Sequence, residues 1–439
     1  MPHPIADAVR AAGVVGAGGA GFPTAVKLQS RVDTYIVNGA ECEPLLYKDK
    51  ELMRLQAARL VDGLLRAMQA TGASRGVIAV KAKYHDAIDQ LRPLLRDGRG
   101  FFLMGSYYPA GDEYVVVHDA TGRLIPVGGL PLHVGCVVNH VETLINVARA
   151  VQGTPVTTSA LTVTGAVAHP CSAVVPLGVS AREVLALAGG ATVDDPVLLD
   201  GGAMMGRVLP SLDDPVTKTT GGYIVLPRSH HLIRRKTRPE EVKVAIARTA
   251  CDQCSYCTEF CPRFLLGYAI EPHKVMRSVG FAGEAERGWA QLGLQCCECS
   301  LCDLYSCPED LPPKDMCIRS KRLWRTIEPR PAPLPSTGHA HPMRDHRRVP
   351  ISRLIERLGL RAYDVFAPLT ADRLEPAAVR LNLRQHTGAP ACPVVKVGDA
   401  VRAGELVAEI PAGALGARLH ASIDGRVVGV DESAIRIQR

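Results

Sequence analysis

The stretches CDQCSYCTEFCP (251–262) and CCECSLCDLYSCP (296–308) decide how this chain is read. The first spaces its thiols as Cys251-x2-Cys254-x2-Cys257-x3-Cys261-Pro262, and the second as Cys296-x2-Cys299-x2-Cys302-x4-Cys307-Pro308. Two-residue gaps let a tight loop present successive thiolates to different irons of one cube. The fourth Cys, placed before Pro, usually reaches a second cluster. Two such runs predict two [4Fe–4S] clusters with exchanged fourth ligands: Cys251, Cys254, Cys257 and Cys307 on one, Cys296, Cys299, Cys302 and Cys261 on the other. The extra residue before Cys307 leaves the exchange less firmly specified than the clusters themselves. Structural zinc is the competing reading, because Cys-x2-Cys pairs also build zinc sites. Zinc does not explain a third evenly spaced Cys followed by Cys-Pro.

Nine of the fourteen cysteines lie between Cys251 and Cys307, which argues against a dispersed disulfide framework. Cys297 stands outside the repeat as a spectator. Cys42, Cys136, Cys171, Cys317 and Cys392 are expected to be small buried hydrophobes.

Outward from the cysteines the texture changes several times. Across 439 residues, at about 150 residues per domain, roughly three domains are expected. Residues 1–153 alternate helical and strand signals: a helix from Met53 with Leu55, Leu60, Leu64 and Met68 near one face and Gly72 as its stop, a strand GVIAVK (76–81), a helix from His85 ending near Pro93, and a strand YVVVHD (114–119). Such alternation means an α/β domain with a largely parallel sheet. Residues 154–235 read as Val/Thr-rich strands around one short helix, and 236–327 as helical. Residues 328–375 form a Pro-rich linker and wrap, and 376–439 a compact all-β domain of short strands separated by Gly-Asp and Asp-Gly turns. The fold class is therefore multidomain α/β.

The net charge of +7 is too mild and dispersed for nucleic acid. Ala150–Ala181, free of Asp, Glu, Lys and Arg, is broken by Pro155, Pro170 and Pro176, so no membrane insertion is expected. MPHPIADAV has no basic region leading into an apolar core, and a soluble cytoplasmic protein is the expectation.

GAGGAG (16–21) matches G-x-G-x-x-G with Gly16, Gly18 and Gly21, which alone is a weak sign of a phosphate loop or a turn. In order, GAGGAGFPTAVKL (16–28), VNGAECEP (37–44) and VVNHVETLINV (137–147) resemble the flavin-binding segments of the complex I flavoprotein subunit family. That resemblance implies a Rossmann-like domain binding FMN, with NADH stacked on the flavin. It implies that Gly16, Gly18, Gly19, Gly21, Lys27, Asn38, Asn139 and Thr143 hold FMN. Phe22, Glu41 and Glu43 would lie near the nicotinamide nucleotide, under a Gly111–Asp112–Glu113 turn, with Glu41, Glu43 and Lys27 as the catalytic set. Ala40, His140 and Asp112 depart from the acidic residue, Asn and Glu usual there.

TGRLIPVGGLPLHVGCVV (121–138), DGGAMMGRVL (200–209) and PVTKTTGGYIVLP (215–227) resemble the RnfC branch, which implies a β-grasp (SLBB) domain over 154–235. HTGAPACPVVKVGDAVRAGELVAEI (386–410) and LHASIDGRVVGV (419–430) resemble a barrel-sandwich hybrid. Its hairpin ASIDGRVVG carries no Lys for a swinging arm, so it is expected to dock or pack. This domain precedes the flavin domain in RnfC and comes last here. The order is similar to that of the PduS-type cobalamin reductases of propanediol-utilisation microcompartments. The resemblance implies an NADH-dependent oxidoreductase passing electrons through FMN and two clusters to a corrinoid. A cobalamin adenosyltransferase and a shell protein are the implied partners, and the microcompartment the implied location. An RnfC-like subunit feeding a protein partner and a non-catalytic redox-sensing adaptor remain the alternatives.

Overall fold

The computed structural model describes residues 3–96, 98–280, 289, 291–328 and 332–439. Four parallel strands form the first sheet, in the order Arg99–Met104, Arg75–Lys81, Thr34–Gly39 and Cys136–His140. Parallel sheets need both faces covered. One face is covered by the helices Ala57–Thr71 and Val141–Val151, which pack so closely that a Cβ on Gly63 would stand 1.9 Å from the Leu144 carbonyl oxygen. The other carries the helix Glu113–Thr121 and the segment around Leu266, Tyr268 and Ile270 from the cysteine region.

Two elements differ from their sequence pattern. YVVVHD is helical, not extended, within Glu113–Thr121. Asp112 caps it by accepting from the amides of Tyr114 and Val115, and Gly122 ends it in the left-handed conformation. These caps override the β-propensity of three valines, all of them buried. The helix expected from Met53 is two, Lys48–Leu55 and Ala57–Thr71, broken at Gln56 (φ −123°, ψ 29°). The break carries Leu55 off the shared face, leaving it 49% exposed while Leu60 and Leu64 are buried. Gly72 closes the second helix in the left-handed conformation.

A five-stranded mixed sheet follows, ordered Cys171–Pro176, Thr158–Gly165, Gly222–Pro227, Pro196–Asp200 and Arg207–Val208, with the helix Ala181–Leu187 packed on it. Ser180 and Glu183 form a capping box at that helix. The cysteine region contributes short helices, including Glu240–Thr249, Pro272–Ser278 and Pro313–Arg325. Residues 281–288 and 290 of the stretch read as helical, and 329–331 of the Pro-rich stretch, lie outside the described residues. The chain then latches back. Val349–Pro350 pairs with Tyr107–Tyr108, and Arg344 meets Asp119 at 2.5 Å. A helix, Ile351–Arg357, buries Leu354 and Ile355 against Ile224, Leu226 and Leu304. The last 62 residues, from Ala378, form sheets of four and three strands. Leu381, Val401, Ile435 and Ile437 belong to the same continuous core as Leu28, Val37 and Leu144 of the first domain.

Candidate functional site

The glycine loop is a backbone hairpin: Gly16 N–H donates to Phe22 O (2.9 Å), and Gly21 N–H to Gly16 O (3.2 Å). Gly19 (φ +102°) has nothing within 4 Å of where a Cβ would stand, whereas a Cβ on Gly18 would lie 3.1 Å from the His140 ring. Thr143 Oγ1 accepts from the Ala17 amide (3.0 Å). Asn38 donates to Gly111 O (2.9 Å), and Asn139 Oδ1 accepts from the Tyr35 hydroxyl (2.9 Å). Lys27 reaches Glu113 (2.8 Å) and Val138 O (3.0 Å). These contacts gather the glycine loop, Lys27, Asn38, the 111–113 turn, Asn139 and Thr143 at the C-terminal ends of the parallel strands, where open α/β sheets bind ligands. The hydroxyl of Thr24 and His140 Nδ1 are buried there without a partner. An open backbone turn with unspent polar atoms is a fitting cradle for a phosphate-bearing flavin.

Both glutamates accept hydrogen bonds from backbone amides. Glu41, in the left-handed conformation (φ +36°), accepts from the amides of Asp49 (2.7 Å) and Lys50 (3.1 Å) at the start of the helix Lys48–Leu55. Burial, and then the neighbouring Asp49, hold its carboxyl well above the ordinary value, and the two amides offset part of that rise. Glu43 accepts from the amides of Met204 and Met205, both at 2.8 Å, pinning a turn of the second domain to the first. Burial raises its pKa. A buried ion pair, Lys48–Glu142 (2.7 Å), stands beneath the glycine loop, with Lys48 also reaching Ala17 O (3.4 Å).

The cysteine loops share a backbone signature. The residues flanking the middle Cys are left-handed in both: Gln253 (φ 63°) and Ser255 (65°) in the first, Glu298 (59°) and Ser300 (62°) in the second. None is glycine, and each such residue costs about 1–3 kcal/mol, a strain kept at functional loops. Both loops turn donors onto sulfur: Gln253 Nε2 to Cys251 (3.0 Å), the Glu298 amide to Cys296 (3.3 Å) and the Leu311 amide to Cys307 (3.4 Å). Cys251, Cys307 and Cys254 surround Cys257, whose thiol is pushed up to about 12 by burial and then by these neighbours. Cys302 is raised by burial and then by Asp303, Cys296, Cys257 and Cys261. Sulfur donors gathered from two short loops, with N–H groups turned onto three of them, are a donor set that fits iron–sulfur clusters. Among the described residues no three His, Cys, Asp or Glu side chains close around a single ion, a condition that a cubane, spreading its thiolates over a larger body, does not impose.

Cys136, Cys171 and Cys317 are buried as expected, Cys42 is half-buried, and Cys297 packs against the apolar cluster that contains Cys299. Cys392, expected to be buried, is exposed at a barrel strand.

Sequence comparison divides the chain in the same order. Residues 9–149 match the Nuo51 FMN-binding domain, 161–208 the SLBB domain, 250–312 the 4Fe-4S dicluster domain and 370–439 the RnfC barrel sandwich hybrid domain. Cobalamin reductase PduS of Salmonella typhimurium is 51% identical over 99% of this chain and 96% of its own length. The chain belongs to the PduS cobalamin reductase family. The Citrobacter freundii PduS is 48% identical over the same shares. A component of the Na(+)-translocating ferredoxin:NAD(+) oxidoreductase complex of Acetobacterium woodii is 36% identical over 58% of each chain. A crystal structure of NAD+-reducing [NiFe]-hydrogenase in the H2-reduced state superposes with a TM-score of 0.50 at 21% identity, covering 75% of this chain and 64% of that one, which is a likeness of fold. No helix among the described residues is long and apolar enough to cross a membrane.

In this PduS-family chain, the residues that join the two redox regions carry no motif. Arg263, just after Cys261-Pro262, pairs with Asp112 (2.8 Å) and lies 3.5 Å over the Tyr114 ring. Tyr108 donates to the carbonyl of Cys299 (2.7 Å), and Cys42 packs in the apolar clusters that also contain Cys299 and Cys261. Lys218 reaches Gly13 O and Arg418 O, both at 2.7 Å, tying the second domain to the first and to the barrel. Thr387 of the barrel bonds Ala20 O (2.7 Å) and, through its amide, Gly21 O (3.0 Å). The only sequence signal was position: Arg263 follows a ligand Cys and Cys42 sits inside the flavin motif.

Proposed function

We propose that the chain is a cobalamin reductase passing electrons from NADH through FMN and two [4Fe–4S] clusters to a corrinoid, taking cobalt from Co(III) toward Co(II) and Co(I) inside a bacterial microcompartment. The observation that carries this reading is the join just described: the loop holding Cys296, Cys299 and Cys302, together with Cys261, is packed directly on the flavin-type domain through Tyr108, Cys42 and the Arg263–Asp112 pair. When bound, FMN accepts a hydride as two electrons and gives them up singly to clusters that carry one each, so one NADH supplies two one-electron reductions of cobalt. The protein's own residues set the order. Cys261, Cys296 and Cys299 pack in or against apolar clusters shared with the flavin-type domain, and Cys254 of the first loop is exposed. Gly16, Gly18, Gly19 and Gly21 present backbone to the flavin phosphate, Lys27 supplies the nearby positive charge, Asn38, Asn139 and Thr143 hold the flavin, and Thr143 also ties the loop through the Ala17 amide. Glu41 and Glu43 lie near the nicotinamide nucleotide, and the backbone amides they accept from fix their place there.

Anaerobic protein with about eight irons and one FMN per chain, bleached in both flavin and cluster bands by NADH and reoxidised by hydroxocobalamin, is the expected result. Iron without flavin would leave a redox-sensing adaptor. Bleaching by NADH without reoxidation by hydroxocobalamin would favour an RnfC-like subunit with a protein acceptor, a reading the exposed Cys254 and Tyr256 also suit. Encapsulation, a shell protein and a cobalamin adenosyltransferase as downstream partner belong to the same proposal and are tested by co-purification with isolated microcompartments.

A further inference from the structure

A cavity of about 240 Å³ opens where the turn Met205–Val208, the segment Arg235–Lys243 and the backbone after Cys299 and Cys307 meet. It is strongly basic: Arg207, Arg235, Lys236, Arg238, Lys243 and Lys314 line it, against three aspartates. The aspartates are largely committed. Asp310 pairs with Arg235 (2.6 Å), and Asp315 with Lys243 (2.7 Å) and Lys314 (3.2 Å). Asp303 accepts from the Lys314 amide (2.5 Å). Positive charge is left over at three places. Lys236 has only carbonyl partners, Met204 O (3.0 Å) and Gly206 O (2.6 Å). Arg238 gives one N–H to Asp310 O (3.3 Å), and Arg207 reaches only Asp200, which does not line the cavity. Ser300, 2% exposed and also in the lining, has a buried hydroxyl with no partner.

Spare cations from two separate segments, with a spare hydroxyl donor, suit a group with several oxygens pointing in different directions. A carboxylate offers two oxygens in one plane; a phosphate offers a tetrahedral set, for which arginine forks and lysine charges are the usual partners. The volume falls below the roughly 300–1,000 Å³ of sites that enclose a whole small molecule, so only a part of a larger ligand enters. The floor is made by Ser300, Asp303, Asp310 and Leu311, which flank Cys302 and Cys307, one cysteine from each predicted cluster.

We propose that this cavity is a phosphate site that anchors the electron acceptor beside the cluster loops. Resting on the cobalamin reductase reading, its occupant is the phosphodiester of the corrinoid's nucleotide tail, with the macrocycle left outside, close to the cysteine loops. Free inorganic phosphate is the other source of the same chemistry.

The test uses the iron- and flavin-loaded protein and measures equilibrium binding of hydroxocobalamin, of cobinamide (the corrinoid without the nucleotide tail) and of inorganic phosphate. The wild type is expected to bind hydroxocobalamin more tightly than cobinamide. Arg238→Gln should weaken hydroxocobalamin about tenfold, the loss of one charge-assisted contact, and leave cobinamide unchanged. Arg207→Gln, at a side chain 78% exposed and therefore safe for folding, should act in the same direction more weakly. Phosphate binding that Arg238→Gln abolishes, with both corrinoids bound alike, would support the site with free phosphate as its source. Equal corrinoid affinities unaffected by either variant, with no phosphate binding, would overturn it. NADH-driven reduction of hydroxocobalamin in the wild type is scored separately. Its absence would sink the reductase reading while the phosphate titration still decides the site.

Discussion

The two cysteine loops have nearly the same spacing and the same left-handed residues around the middle cysteine, yet they live in different surroundings. Around the first, Cys254 and Tyr256 reach the surface. Around the second, Cys299 and Cys302 are buried, and the Cys299 carbonyl accepts from Tyr108 of the flavin-type domain. A ligand repeat is a local device and can be copied; its place in an electron path depends on what is packed behind it. On the proposed function, the second loop would be the receiving end and the first the delivering end.

The strongest way to break this ordering is to remove one ligand from each loop in turn. Cys299→Ser should abolish NADH-driven bleaching of both clusters and cut corrinoid reduction by about 100-fold or more, roughly 2.7 kcal/mol of barrier. Cys254→Ser should also stop reduction of the acceptor but leave one cluster still bleached by NADH. The reverse pattern in stopped-flow spectra would invert the order.

The join itself is next in size. Arg263→Met leaves Asp112 buried without its partner, and breaking a buried pair from one side costs about 3–5 kcal/mol. The loss should show in urea denaturation of the holoprotein, and the double variant Arg263→Met with Asp112→Asn, which keeps the helix cap but removes the buried charge, should recover much of it. If the single variant is as stable as the wild type, the pair contributes nothing to holding the loop on the flavin domain.

A smaller effect separates flavin from iron. Gly18→Ala places a methyl 3.1 Å from the His140 ring and should weaken FMN retention by about tenfold, near 1.4 kcal/mol, with iron content unchanged. Loss of iron together with flavin would mean the two regions fold as one.

The last effect concerns the tie between domains. Burial lowers the Lys218 pKa to about 7 from its ordinary 10.5. Between those values the unfolded chain binds a proton that the folded chain does not, so stability rises with pH from 7 to 10.5 and is lost as pH falls toward 7. Lys218→Met should flatten that slope in thermal melts; an unchanged slope would assign it to another group.

Much of the site was legible in the chain. Ligand cysteines two residues apart must share a loop whatever surrounds them, and glycine at 18 and 19 is demanded by close approach and by a positive φ. The valine run at 115–117 misled, because three buried valines in a row show no helical apolar period, while the helix caps at Asp112 and Gly122 are single residues outside the run. The family resemblance puts Glu41 and Glu43 near a nucleotide. Only the fold shows amides of Asp49, Lys50, Met204 and Met205 using their oxygens.

The redox cofactor class, the order of the domains and the cysteine repeat could be read from the chain, because each rests on residues close together along it. Folding in three dimensions settled the rest: which loop faces the flavin domain, which charges line the basic cavity, and that Arg263, Tyr108, Lys218 and Thr387 bind the parts together. Those contacts join residues up to 367 positions apart, and no local pattern can encode a partner that distant. Their energies come from burial and from pairing across domains, which exist only once the whole chain has folded.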